Sequence, residues 1–101
     1  DVATITGQLG LIVTGDRAEA EAKKIAFIHQ DAKMYAGRLS NQSVHRELDP
    51  ARKGYLHVAK GSLSVGNVLL QTGDALLIEG ERELNFDVSE QAEVLFFDLP
   101  A

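Results

Sequence analysis

The sequence predicts an all-β domain, a small antiparallel β-sandwich or jelly-roll barrel. Three observations predict it. Short apolar runs recur at roughly ten-residue spacing between turns that carry Gly or Pro. Residues 55–65 read as strand, glycine turn, strand, and Gly66-Asn67 then leads into Val68-Leu69-Leu70. Residues 84–88 alternate cleanly, with Leu84, Phe86 and Val88 on one face.

The elements follow in order. Residues 9–13 form an apolar run with Gly10 and Gly15 near its ends. Residues 16–24 break the β pattern: Asp16-Arg17-Ala18-Glu19-Ala20-Glu21-Ala22-Lys23-Lys24 is rich in helix formers, with Asp16 placed to cap. The segment has almost no apolar stripe, so a charged loop or one short helical turn is expected over 16–24. Residues 25–29 and 32–39 make a second strand group. Ser40-Asn41-Gln42 reads as a polar turn before a strand over 43–48. Residues 49–54 read as a turn, with Pro50 second and Gly54 last. Gly66-Asn67 suits a two-residue hairpin with glycine first. Gln71-Thr72-Gly73-Asp74 turns the chain into Ala75-Leu76-Leu77-Ile78. Residues 93–99 are apolar on both faces, which marks a central or interface strand. Val94 and Phe96 lie on one side of it, and Leu95, Phe97 and Leu99 on the other. A small barrel has one interior, so only one of these sets can fill it.

Composition narrows the function classes. The chain has 101 residues, enough for one domain over 1–101 with a modest core. It is 45% hydrophobic and 25% charged, the profile of a folded domain. The net charge is -5 and the pI about 5.0, which disfavours nucleic acid and anionic membrane surfaces as partners. No apolar run approaches the ~20 residues of a membrane-spanning helix. The chain has no cysteine, which excludes disulfides, zinc–thiolate sites and thiol nucleophiles and fits a reducing cytosol. No signal peptide is visible, so a cytoplasmic location is the expectation. The chain does not begin with Met, as a processed product or a piece of a longer protein would not.

Four stretches in the right order carry a family resemblance. Residues 26–39, residues 55–63, Thr72-Gly73-Asp74-Ala75 and residues 93–100 together resemble the C-terminal cupin domain of pirin-type proteins of the bacterial quercetinase group. The resemblance covers about residues 9–100, and residues 16–24 depart from it. It implies a cupin-type double-stranded β-helix. It also implies a bicupin, with two cupin domains in one chain. The family's metal, iron or a similar divalent ion, belongs to a separate N-terminal cupin domain, and so does its oxygen-dependent cleavage of quercetin. No cofactor is then expected in this domain. The implied partner is the upstream cupin domain of the same protein, or a second copy in a homodimer.

The metal motif of catalytic cupins can be laid on these residues. Anchored on Gly61, the glutamate position falls on Gly54, which has no side chain. The His-x-His position is approximated by His45-Arg46-Glu47, slightly too far upstream. Anchored on Gly73, the second motif's proline and glycine positions fall on Glu79 and Glu81, and its histidine position on Leu84. His45 and Glu47 are the surviving metal candidates, with His57 a third. A catalytic site generally needs three protein ligands and an open position. The sequence therefore assigns no metal site and no catalytic residue.

The remaining polar residues have plain readings. His57 lies between Leu56 and Val58 and should face away from them, as a rim histidine or a polar group lining a residual pocket. His29-Gln30-Asp31 is expected to be a hydrogen-bonded cluster at a strand crossing. Tyr35 and Tyr55 are expected to pack as amphipathic residues rather than serve as stacking platforms. Glu79, Glu81 and Glu83 crowd a solvated turn around Arg82. The functional expectation is a metal-free cupin domain with a structural or packing role. The alternative is a free-standing small cupin that binds a small aromatic ligand or acts as a dioxygenase.

Overall fold

Three long strands determine the architecture. The computed structural model describes residues 7–100. In chain order it contains β1 (Gly10–Thr14), α1 (Arg17–Lys23), β2 (Ala26–Phe27), β3 (Lys33–Glu47), β4 (Arg52–Val65), β5 (Val68–Gln71), β6 (Ala75–Glu79) and β7 (Glu83–Pro100). The all-β class is the one the sequence predicts.

All strands belong to one hydrogen-bonded sheet of order β2-β1-β3-β7-β4-β5, with β6 also on β4. The sheet does not close on itself. Central β7 pairs with β3 from Lys33↔Asp98 to Glu47↔Glu83. On its other edge it pairs with β4 from Arg52↔Pro100 to Gly61↔Ala92. The far edge of β4 is shared, with β6 against residues 53–57 and β5 against residues 62–65. Two separate sheets would be the simpler sandwich. Here β3, β4 and β7 run through both walls, so the ladder is continuous.

The walls are joined by bulges, which correct two turn assignments. Ser40-Asn41-Gln42 is not a turn between strands. Asn41, at φ 50°, is an extra residue inside β3, and pairing resumes at Gln42↔Val88. A bulge of this kind bends a strand and re-aims its side chains. Gly61 likewise does not end a strand. It sits in β4 at φ 91° beside register shifts on both sides, and a Cβ there would lie 2.1 Å from the Gln91 carbonyl oxygen. The turn assigned to 49–54 closes earlier, on a hydrogen bond from Arg52 N–H to the Asp49 carbonyl of 3.0 Å. Gly54 is then a buried strand residue. The Gly66-Asn67 hairpin forms as expected, with Val65↔Val68 as its closing pair.

The bulges keep one apolar set facing inward. Residues Leu39, Leu56, Val58, Leu63, Leu70, Ile78, Leu84, Phe86, Val88, Ala92, Val94 and Phe96 form the buried cluster. Burying a side chain of this size contributes about 1.5–3 kcal/mol. Val94 and Phe96 are the set of residues 93–99 that fills the interior.

The charged segment is a true short helix. Asp16 caps it by accepting the Glu19 N–H at 3.1 Å, and Lys24 ends it in the left-handed region. Ala20 is its buried contact. The missing stripe is replaced by a polar anchor. Thr14 is fully buried and donates to Glu19 at 2.8 Å, and Lys33 pairs with Glu19 at 3.0 Å. These contacts, led by the Lys33 hydrogen bond, hold the Glu19 carboxyl down at about 2.

Candidate functional site

The place to look for chemistry is the barrel interior, where a catalytic cupin would gather its ligands. β3 brings His45, Arg46 and Glu47 to one end, β4 brings Gly54, and β7 brings Leu84. Strand alternation decides which of them point inward. After the Asn41 bulge, Val44, Arg46 and Leu48 share the inner side, while His45 and Glu47 are exposed on the outer side. His45 Nδ1 lies 2.6 Å from Asn85 Oδ1 across the strand pair. Glu47 stands opposite Glu83.

The interior positions are taken by other groups. A Cβ on Gly54 would lie 3.1 Å from the Phe96 ring, so a side chain there would crowd that ring. Leu84 is buried in the core cluster. Arg46 points in with its guanidinium carbon 4.1 Å from the centroid of the Tyr35 ring and 5.6 Å from that of Phe96. Tyr35 is thus a stacking platform, contrary to the sequence expectation, and Phe96 packs beside it at 6.1 Å. Arg46 stood in the middle of His45-Arg46-Glu47 and carried no signal of its own. Only the one-residue bulge at Asn41 turns it inward.

His57 is half-buried on the outer face of β4, between Leu95 of β7 and Ala75 of β6. Its neighbours Leu56 and Val58 are buried on the inner side, as alternation predicts. His45, Glu47 and His57 therefore do not converge. Among the described residues, no group of three or more His, Asp or Glu side chains is arranged to hold a metal ion. The residues at the cupin ligand positions do not fit a metal. They offer a glycine under an aromatic ring, a buried leucine and an inward guanidinium.

His29-Gln30-Asp31 orders a strand crossing, but not through contacts among its own side chains. Asp31 accepts from Arg52 at 2.9 Å, and Arg52 also donates to Asp98 at 2.6 Å. This carboxylate pair holds the Arg52 guanidinium above its ordinary value, with the Asp31 hydrogen bond the larger cause. His29 instead lies edge-on to Phe27, with centroids 4.8 Å apart.

The interior leaves little room. The cavity at the barrel mouth, between Arg46, Gly54, Ile78 and Phe96, has a volume of about 50 Å³. Small-molecule sites typically measure ~300–1,000 Å³. The outer face of the sheet is the larger feature. Leu95, Phe97 and Leu99 are only half-buried there. Phe97 pairs with Met34 on one side and Tyr55 on the other, and Tyr55 pairs onward with Leu77. Tyr55 is 39% and Leu77 52% exposed, so an apolar stripe crosses β3, β7, β4 and β6.

Known proteins match this chain over nearly all its length. A family model described as the quercetinase C-terminal cupin domain matches residues 11–99. A putative quercetin 2,3-dioxygenase of Pasteurella multocida is 41% identical over 83 residues, covering 78% of this chain and 36% of that protein. The quercetin 2,3-dioxygenase of Escherichia coli strain K12 is 32% identical over 92 residues, covering 89% of this chain and 38% of that protein. Among solved structures, the bacterial pirin YhhW of Escherichia coli in complex with nickel(II) is similar at a TM-score of 0.83 and 25% identity, covering 94% of this chain and 40% of that one. The chain spans a little over a third of the length of the curated relatives it matches.

Proposed function

Because the chain belongs to the quercetinase C-terminal cupin domain family, we propose that it is the non-catalytic half of a two-cupin unit. In this reading the chain is one domain that holds no metal and packs against a metal-bearing cupin, either upstream in the same protein or in another copy. The observation that carries it is the outer face of β7. Leu95, Phe97 and Leu99 are not needed to fill the interior, yet they are apolar and continue into Tyr55 and Leu77. Burying two or three such side chains is worth roughly 1.5–3 kcal/mol each before association costs. The filled interior supports the same reading, since Phe96 and Leu84 stand where a catalytic cupin needs donors.

The alternative, a free-standing cupin that binds an aromatic ligand or cleaves quercetin, draws only on the names of the relatives. The experiment that separates the two is oxygen uptake by the purified chain with quercetin, run beside elemental analysis. The structural reading expects no uptake and no stoichiometric transition metal. Uptake abolished by a chelator and restored by metal would overturn it.

A further inference from the structure

Arg46 is a cation without an assigned partner at the mouth of the barrel. It forms none of the ion pairs found among the described residues. Its Nε is buried and has no acceptor among them. The neighbouring cation, Arg52, is fully committed to Asp98 and Asp31. Arg46 is instead oriented by aromatic faces, Tyr35 beneath it and Phe96 beside it. Stacking of this kind fixes the plane of a guanidinium while leaving its edge donors unused. A guanidinium carries five N–H donors in a planar fork and stays charged at any ordinary pH. A preoriented fork with no internal acceptor is what carboxylate recognition requires.

The cavity in front of it sets the size of the ligand head. Its volume of about 50 Å³ is far below the ~300–1,000 Å³ of typical small-molecule sites. That size suits a small head group better than a flavonol-sized ligand. Leu48 and Ile78 line the same cavity, which favours an acid with a short alkyl chain over an inorganic anion. Glu47, Asp49 and Glu81 also line it, are exposed, and form no ion pair with Arg46, while Asp98 is held by Arg52. We propose that the barrel mouth binds the carboxylate of a small aliphatic acid, held end-on by the two Nη groups of Arg46, with Glu81 the competing carboxylate that the test removes. The site is independent of the packing face and of any metal.

The test is a nuclear magnetic resonance titration of the whole chain, following the Arg46 side-chain N–H signals and the Tyr35 and Phe96 rings. Butyrate is compared with chloride and with neutral butyramide at constant ionic strength. The proposal expects saturable shifts confined to these residues with butyrate alone, at a midpoint on the order of 1–10 mM. Glu81→Gln, an exposed change, should tighten that midpoint by up to about fivefold, the scale of one exposed charge pair. Arg46→Gln should abolish the shifts. Equal, non-saturating responses to butyrate and chloride would overturn the proposal, as would butyrate binding unchanged by Glu81→Gln. If Arg46→Gln does not fold, the wild-type and Glu81→Gln titrations decide the question by themselves.

Discussion

Residues 83–88 and 93–99 of β7 pair with the same strand, β3, and present the same inner face. Leu84, Phe86 and Val88 are buried in the first half, and Val94 and Phe96 in the second. Their outer faces are opposites. In the first half Glu83, Asn85 and Asp87 are exposed across from Glu47, His45 and Ser43, and Ser43 donates to Asp87. In the second half Leu95 and Phe97 sit across from Ala36 and Met34 on one side and from His57 and Tyr55 on the other. One strand thus shows what this barrel needs from its outer face, which is solubility, and what it carries beyond that need. On β7 the surplus apolar set lies in the half flanked by the β4 segment that pairs with β6, and Val68 and Leu69 of β5 are exposed apart from it.

The sharpest way to break this comparison is to cut both faces of the second half in parallel. Phe96→Ala removes an inner ring that packs on Gly54, Tyr35 and Arg46 and should cost about 3–5 kcal/mol. Phe97→Ala removes an outer ring and should cost the isolated chain about 1 kcal/mol. Urea unfolding at low protein concentration measures both. Equal costs would mean that Phe97 is core and not surplus.

A second contrast lies between two polar regions. Glu19 has its carboxyl depressed from 4.5 to about 2 by Lys33 first and Thr14 next. A depressed carboxyl stabilises the fold above its unfolded value and loses that contribution as the pH falls. The anchoring of α1 should therefore be intact above pH 4.5 and lost toward pH 2. Amide exchange of α1 and β1 across that range checks it, and protection that does not fall with the Glu19 titration would remove the anchor from the account. The smallest effect belongs to the exposed ladder of the first half. His45→Ala should change stability by no more than about 0.5 kcal/mol, since His45 is exposed and its hydrogen bond to Asn85 lies at the surface. A larger loss by thermal unfolding would show that this ladder is more than a solvated face.

Much of the fold was legible because alternation and turn residues report directly on strands. Gly66-Asn67, the 84–88 alternation and the two-faced run at 93–99 all appear where their patterns place them. The bulges were not legible. Asn41 and Gly61 carry ordinary turn signals, and only long-range pairing with β7 tells a bulge from a chain reversal. That single ambiguity hid the candidate site. With a turn at 40–42 the facing of residues 43–48 is undetermined, so His45 and Glu47 could be read as ligands and Arg46 as a spacer. The helix was underestimated for a related reason. Its hold on the sheet is a charged anchor through Glu19 and Lys33, which no apolar stripe announces. The absence of donors at Gly54 and Leu84 was readable from the residues, but the reason, the Phe96 ring over Gly54, needed the packing.

The central claim is that the outer face of β7 is a packing surface. Light scattering of the purified chain across a concentration series, with Phe97→Asp alongside, tests it most directly. The account predicts that the wild type self-associates as concentration rises, in place of the proposed cupin partner. It predicts that Phe97→Asp remains monomeric with its fold intact. A wild type that stays strictly monomeric at high concentration, with a variant equally soluble and equally stable, would contradict it.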